Sequence, residues 1–135
     1  LPAAVAAKRM NPDRVVLAFA GDGCFQMTGQ EFGTAVQYGA NVVAVVVDNG
    51  MYGTIRMHQE RTFPARVVAT DLVNPDFAAL ARAYGGHGET VERTSDFIPA
   101  LRRALASGKP AILHCLTDPE ALTPARTLSQ FRSGA

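Results

Sequence analysis

The stretch VVLAFAGDGC, residues 15–24, decides the fold class of this 135-residue chain. Residues 15–20 are apolar and include two β-branched valines, which favours a short strand buried on both faces, as in a parallel sheet. A Gly-Asp-Gly turn at residues 21–23 ends that strand abruptly. The stretch NVVAVVVDNG, residues 41–50, repeats the arrangement, because a second apolar run leads into a polar turn that contains glycine. The two stretches predict two strands of one buried sheet.

Segments with helical features alternate with these strands. Thr28 and Glu31 have the spacing of a capping box, so a helix is predicted to begin there and to stop near Gly39. The other predicted elements are helices over 2–10, 76–84 and from Ser95 or Asp96 to Gly108, a loop and then a helix over 51–60, and strands over 89–92 and 111–116. This alternation predicts an α/β domain with a parallel sheet. Residues 117–135 contain two prolines and are predicted to be a C-terminal arm.

Composition and charge exclude several classes of function. The formal net charge of +1 favours neither nucleic acid nor an anionic membrane as a partner. The longest apolar run, residues 42–47, is too short to span a bilayer. Cys24 and Cys115 do not make a disulfide framework, so a cytoplasmic location is predicted. The first residue, Leu1, is not Met and lies within a helical pattern, which predicts a fragment of a longer protein.

The two polar turns form the candidate ligand site. Ligands of open parallel sheets bind at the carboxyl ends of the strands, and each turn follows a strand directly. Gly21 and Gly23 permit a tight turn whose backbone N–H groups can bind an anion. Asp22 would repel a phosphate there, so a cation between them is predicted, and Mg²⁺ prefers oxygen ligands such as those of Asp22 and Asn49. Taken singly, each turn also has a purely structural explanation, because Asn49-Gly50 is a common hairpin turn and Gly-Asp-Gly a common tight turn.

The pair of turns resembles a known motif. Gly21-Asp22-Gly23 followed by Asp48-Asn49, with Asn49 lying 27 residues after Asp22, is similar to the GDG…NN motif of thiamine-diphosphate enzymes. The resemblance runs from residue 1 to 113 and is strongest to the C-terminal, diphosphate-binding domain of the acetolactate synthase, benzoylformate decarboxylase and pyruvate oxidase group. It implies that residues 1–135 form a single-domain fragment with the thiamine-diphosphate-binding fold, a parallel sheet flanked by helices on both faces.

Positions that match the motif carry implied roles. Asp22 and Asn49 would bind Mg²⁺ through their side chains, and Met51 would bind it through its backbone carbonyl. The implied cofactor-binding set is Gly21, Asp22, Gly23, Cys24, Asn49, Gly50 and Met51. Many members of the group have Ser in place of Cys24 and Asn in place of Asp48. A thiol is a weak hydrogen-bond donor, so the backbone N–H of Cys24 is expected to act instead of its side chain.

The resemblance also implies a reaction. In this group the bound cofactor decarboxylates or ligates 2-oxo acids, so the full-length protein is expected to be a transferase or lyase acting on such a substrate. The glutamate that activates the cofactor belongs to another domain of these enzymes. The N-terminal pyrimidine-binding domain and the central domain are both absent from this sequence. The chain alone is therefore predicted to be inactive, and the full-length protein is predicted to be a homodimer or homotetramer.

The helix predicted after the second turn contains two further candidates. Biosynthetic synthases of the group often have Gln-Trp where this chain has Met57-His58, which counts against a biosynthetic synthase. His58 and Glu60 are candidates for the rim of the substrate pocket, and a solvated helix face is the alternative interpretation of both. No residue of the chain is assigned a catalytic role.

Two other classes of function stay open at this point. The first is a non-catalytic α/β interaction or regulatory module that retains the fold. Asp22, Gly23 and Asn49 argue against it, because a module without metal binding has no need of a carboxylate in that turn. The second is a nucleotide- or flavin-binding α/β domain. The glycines after the first strand do not follow the Gly-x-Gly-x-x-Gly spacing of dinucleotide sites, which gives a nicotinamide site little support.

Overall fold

A four-stranded parallel sheet organises the chain in the computed structural model, which describes residues 1–133. The strands lie in the order β1-β2-β4-β3, and all three neighbouring pairs are parallel. Their bounds are β1 Val16–Gly21, β2 Val42–Asp48, β3 His87–Val91 and β4 Ala111–Leu116. The predicted parallel α/β architecture is confirmed.

Seven helices precede, connect or follow the strands within the described residues. They are α1 Pro2–Met10, α2 Asp22–Thr28, α3 Glu31–Gln37, α4 Gly53–Thr62, α5 Phe77–Ala83, α6 Thr94–Ala106 and α7 Leu128–Ser133. None of these helices is long and apolar enough to cross a membrane. The predicted C-terminal arm contains α7, and its last two residues lie outside the described part of the chain.

Helices cover both faces of the sheet, as the family resemblance implied. Side chains of α2, α3 and α5 form one core with Ala44, Val46 and Ile112 of the central strands. On the opposite face, α6 packs Ala100 and Ala104 against the other side of the central strands. The central strands β2 and β4 are therefore largely buried on both faces, which accounts for their mostly apolar sequence.

The first strand differs from its prediction. β1 was expected to be buried on both faces, but its residues alternate between half-buried and exposed. Phe19 is 68% exposed and Leu17 is 38% exposed. The reason is that β1 is an edge strand, whereas α6 packs against β3 and β4 near the opposite edge of the sheet. Leu17 and Phe19, which lie on the same face as α6, are therefore not covered by it.

The predicted capping box does not form. α2 begins at Asp22, directly after β1, and Thr28 is its last residue, not the cap of a following helix. Glu31 begins α3, and its carboxylate accepts a hydrogen bond from the hydroxyl of Thr34 at 2.9 Å. The helix predicted over 76–84 does have a side-chain cap, since Asp76 Oδ1 accepts from the backbone N–H of Ala79 at 2.9 Å. The early start of α2 places the Gly-Asp-Gly turn on the first turn of a helix.

Candidate functional site

The carboxyl ends of β1 and β2 bring the two polar turns together. The strands pair in parallel with Gly21 opposite Val47, so the turns that follow them lie side by side. Asp22 is 3% exposed and Asp48 is 8% exposed, which is unusual for carboxylates. Two buried acidic side chains at adjacent strand ends form the centre of the candidate site.

Backbone N–H groups from both turns donate hydrogen bonds to the carboxylate of Asp22. Asp22 Oδ1 accepts from the N–H of Gly23 at 2.8 Å, and Asp22 Oδ2 accepts from the N–H of Gly50 at 3.0 Å. Gly50 has a φ of +68°, a conformation that side chains rarely adopt. The second turn therefore needs glycine at this position to direct its N–H towards the carboxylate of the first turn.

Asn49 is held by its own turn. Its Oδ1 accepts from the N–H of Met51 at 3.2 Å. A Cβ added to Gly53 would lie 2.8 Å from Asn49 Nδ2, so the first residue of α4 must be small to leave room for this amide. Asn49 is thus confined between the turn and the start of α4.

A close contact between the turns also explains Gly23. A Cβ at this position would lie 2.5 Å from Cε1 of Tyr52, so the Tyr52 ring packs directly on the glycine backbone. Gly21 differs, because a Cβ there would meet nothing within 4 Å and its φ of −68° suits any residue. Space for a side chain therefore exists at Gly21 and not at Gly23.

The turns form one wall of a cavity of about 650 Å³. The implied cofactor-binding residues that line it are Gly21, Asp22, Gly23, Cys24, Asn49 and Met51. Gly50 lies behind this wall with its N–H directed to Asp22. Apolar side chains also line the cavity, among them Ile55 and Met57 of α4 and Leu122 of the C-terminal segment. The cavity therefore combines polar groups of the two turns with apolar side chains of other segments.

His58 and Glu60 do not line this cavity. His58 is exposed on α4, with its Nδ1 2.8 Å from the guanidinium of Arg61. Glu60 is fully buried and accepts two hydrogen bonds from Arg132 of α7, at 2.7 and 3.0 Å. The bonds from Arg132 lower the pKa of Glu60, against the opposing effect of burial, and the N–H of Ala65 lowers it further. In this structure Glu60 fastens α7 to α4.

Two residues at the site were not assigned to it from the sequence. Asn74, in the loop before α5, donates through Nδ2 to Asp22 and to Asp48, at 2.7 Å each. His114 of β4 donates through Nε2 to Asp48 at 2.8 Å. A histidine within an otherwise apolar strand is a weak signal of a polar contact, because packing is its more common role. Asn74 had no comparable signal, since its partners are 52 and 26 residues away.

These contacts hold the pKa of Asp48 below its ordinary value. Burial favours its protonated form, but hydrogen bonds from His114, the Gly50 N–H and Asn74 outweigh burial and lower its pKa. Asp48 stands where the motif usually has Asn, and His114 supplies the polar partner that the additional charge requires. Such a pair satisfies a carboxylate that would otherwise be costly to bury.

The donor set fits Mg²⁺ and not a soft metal. Within residues 1–133, no three His, Cys, Asp or Glu side chains group closely enough to hold a metal ion by themselves. Mg²⁺ typically takes one or two carboxylates and completes its shell with neutral oxygens, water and substrate phosphates. Asp22, Asn49 and the backbone of Met51 offer one carboxylate and neutral oxygens on the cavity wall. Such a partial set suits a metal that arrives with a phosphate ligand.

Comparisons with known proteins agree with this geometry. Residues 1–115 match the family described as "Thiamine pyrophosphate enzyme, C-terminal TPP binding domain". The chain is 40% identical over 124 residues to an acetolactate synthase large subunit of Mycobacterium tuberculosis. The aligned region covers 92% of this chain and 23% of that protein. It is 39% identical over 119 residues to the acetolactate synthase isozyme 2 large subunit of Escherichia coli, with 87% and 22% covered.

A solved structure gives the same relationship. The thiamine diphosphate-dependent 4-hydroxybenzoylformate decarboxylase of Rhodococcus jostii superposes with a TM-score of 0.80 at 34% identity. The match covers 87% of this chain and 22% of the decarboxylase. The chain thus spans less than a quarter of the length of each of these three relatives.

Proposed function

Since this chain belongs to the family of C-terminal, thiamine-pyrophosphate-binding domains of thiamine pyrophosphate enzymes, we propose that it binds Mg²⁺ and the diphosphate of thiamine diphosphate between the turns after β1 and β2. The observation that carries this proposal is the shared cavity wall of Asp22, Asn49 and Met51. These residues come from two turns that the sequence separates and the sheet brings together. They offer oxygen ligands beside backbone N–H groups at the start of α2.

Some of these residues would bind the metal and others would bind the diphosphate. Asp22 and Asn49 would bind Mg²⁺ through side-chain oxygens, and Met51 through its carbonyl. The backbone at Gly21, Gly23 and Cys24 would approach the diphosphate, where N–H groups of a turn and the first turn of a helix favour negative charge. The metal would offset the repulsion between the Asp22 carboxylate and the phosphates.

The apolar side chains that line the cavity support a substrate role for the space beyond the two turns. Bound thiamine diphosphate supplies the chemistry that decarboxylates or ligates 2-oxo acids. We propose that the full-length protein is a transferase or lyase of this kind, with a 2-oxo acid as substrate, and that it functions as a homodimer or homotetramer. The relatives that support this are acetolactate synthases and a 4-hydroxybenzoylformate decarboxylase. We expect no turnover by the 135-residue chain alone, because it spans less than a quarter of those enzymes.

Thermal unfolding with added cofactor tests the proposal. A ligand at 100 times its dissociation constant stabilises the folded state by about 2.7 kcal/mol. For a domain of this size the melting temperature should rise by about 10 °C. The rise should require both thiamine diphosphate and Mg²⁺, and it should be lost in Asp22→Asn.

A matched carboxylate provides the control. Asp13 is exposed and precedes β1, at the opposite end of the sheet from the cavity, so Asp13→Asn should keep the full rise. No rise in the unmodified chain, followed by no rise in the full-length protein, would contradict the proposal and favour a non-catalytic module. A rise with flavin in place of thiamine diphosphate would favour the flavin-binding alternative.

A further inference from the structure

Two buried carboxylates share the same hydrogen-bond donors beside the proposed metal site. The N–H of Gly50 lies 3.0 Å from Asp22 Oδ2 and 2.9 Å from Asp48 Oδ1. Asn74 Nδ2 lies 2.7 Å from each of the same two oxygens. Asp22 and Asp48 thus approach one another through oxygens that face common donors. Two like charges that share donors in this way repel one another, and the repulsion is stronger where water is excluded.

Asn74 is the donor whose chemistry matches this arrangement. Its amide carries two N–H protons, so it can donate one to each carboxylate at once, whereas Gly50 has a single N–H to share. The amide oxygen of Asn74 accepts from Gln26 Nε2 of α2 at 2.6 Å. That bond fixes which end of the amide faces the two carboxylates. Asn74 therefore holds Asp22 in place relative to the second turn.

His114 completes the arrangement from the opposite side of Asp48. It is 6% exposed, and its ring packs edge-on against Phe77 with centroids 5.0 Å apart. Its Nε2 bonds to Asp48 Oδ2, while within the described residues its buried Nδ1 has no hydrogen-bond partner. The polar contact of this ring is thus made to Asp48. With Oδ2 held by His114, the Oδ1 atom of Asp48 is directed to Asn74 and Gly50.

We propose that Asn74 is a positioning residue for the metal-binding carboxylate of Asp22, and that the Asp48–His114 pair anchors Asn74. The proposal rests on the proposed function, because it assigns a task to residues behind the same metal site. None of the three residues is proposed to bind the metal. Asn74 fixes the orientation of Asp22, Asp48 fixes Asn74, and His114 fixes Asp48. Residues that orient metal ligands in this manner change metal affinity by about 10- to 100-fold when they are replaced.

Mn²⁺ binding measured by electron paramagnetic resonance tests the role of Asn74. The unmodified chain and Asn74→Ala would be titrated with Mn²⁺ at a fixed excess of thiamine diphosphate. We expect the Mn²⁺ dissociation constant of Asn74→Ala to rise by 10-fold or more. Asn41→Ala is the matched control, because the Asn41 amide donates to the carbonyl of Gly108 away from the site. An unchanged dissociation constant in Asn74→Ala would overturn the proposal while leaving the proposed function intact.

A second pair of variants separates positioning from folding. His114→Gln keeps an N–H donor that can reach Asp48, whereas His114→Leu removes it at similar size. We expect weak Mn²⁺ binding in His114→Leu and at least partial recovery in His114→Gln, with both variants folded by circular dichroism. Equal affinities in the two variants would overturn the anchoring role of His114. A chain that binds no Mn²⁺ even unmodified would overturn the proposed function, and this inference with it.

Discussion

Two buried clusters of charged side chains in this domain differ in net charge. At the strand ends, two carboxylates of Asp22 and Asp48 face amide donors, and His114 is the one basic side chain that contacts either of them within residues 1–133. Between α4 and α7, the single carboxylate of Glu60 meets the guanidinium of Arg132 in a two-pronged ion pair. The second cluster is neutral by itself, while the first is short of positive charge.

This difference separates a structural ion pair from the candidate binding site. Buried charge is tolerated when a partner compensates it, and Arg132 does this for Glu60 within the chain. The strand-end cluster is polar but not neutral, and it faces a cavity. A cation bound there would supply the missing charge. Its position in the sequence makes Glu60 a candidate for the pocket rim. In the structure Glu60 belongs instead to the neutral cluster, because Arg132 binds its carboxylate.

Removal of Arg132 should produce the largest loss of stability. Arg132→Ala leaves the fully buried Glu60 without its main partner, and one-sided disruption of a buried ion pair costs about 3–5 kcal/mol. Arg132 is itself 44% exposed, so we expect a loss near 3 kcal/mol, at the lower end of that range. Urea unfolding would measure it. Arg102→Ala, at an exposed arginine of α6, is the control and should change little; an equal loss in both variants would contradict a specific role for the ion pair.

The same ion pair predicts a pH dependence. The Arg132 hydrogen bonds lower the pKa of Glu60 in the folded state below its ordinary value of 4.5. Its contribution to stability is therefore fully present above pH 4.5 and is lost as the pH falls through the folded-state pKa. The stability difference between the unmodified chain and Arg132→Ala should shrink accordingly in urea unfolding below pH 4.5. A difference that stays constant across that range would show that packing of α7, and not the charge of Glu60, sets it.

The helices and strands were easier to predict from the sequence than the contacts between them. β4 has its predicted bounds, 111–116, because a continuous apolar run is a local signal of a buried strand. The exposure of β1 was missed, because it depends on where α6 packs, which no local pattern in residues 15–24 encodes. The capping box at Thr28 failed for a similar reason, since α2 already begins at Asp22.

The residues of the candidate site also differ in how well the local sequence indicates them. The two turns could be found from the sequence because each lies directly after a strand and the sheet fixes their meeting. Asn74 and His114 could not, since their contacts with Asp48 span 26 and 66 residues. A histidine in a strand and an asparagine in a loop each have common structural roles. Only the fold shows that both face the same carboxylate.

Gly21→Ala should separate ligand binding from folding at the strand-end cluster. The structure has space for a methyl group there and a backbone conformation that suits alanine. The free energy of unfolding should therefore stay within about 0.5 kcal/mol of the unmodified chain. If a diphosphate approaches this backbone, the added methyl group should weaken thiamine diphosphate binding about tenfold, or 1.4 kcal/mol. Isothermal titration calorimetry with Mg²⁺ present would measure this, and unchanged affinity would move the diphosphate away from Gly21.

Asp48→Asn should have a small effect, and it tests the charge balance most directly. Asparagine can keep its Oδ1 as the acceptor for Gly50 and Asn74. Its new N–H group would then face His114 Nε2, which can accept it when the ring carries its proton on Nδ1 instead. That proton would point towards Asp76 Oδ1, 3.8 Å from the Nδ1 that now has no partner among residues 1–133.

The substitution also removes one of two neighbouring negative charges, which relieves repulsion in the absence of metal. Lost hydrogen-bond strength and relieved repulsion oppose each other, so the free energy of unfolding should change by less than about 1 kcal/mol. Urea unfolding without Mg²⁺ would measure it beside Glu60→Gln, which removes a balanced charge and should cost more. If Asp48→Asn is the more costly of the two, the strand-end cluster is held together by its charges in the same manner as Glu60 and Arg132, and a deficit of positive charge does not distinguish it.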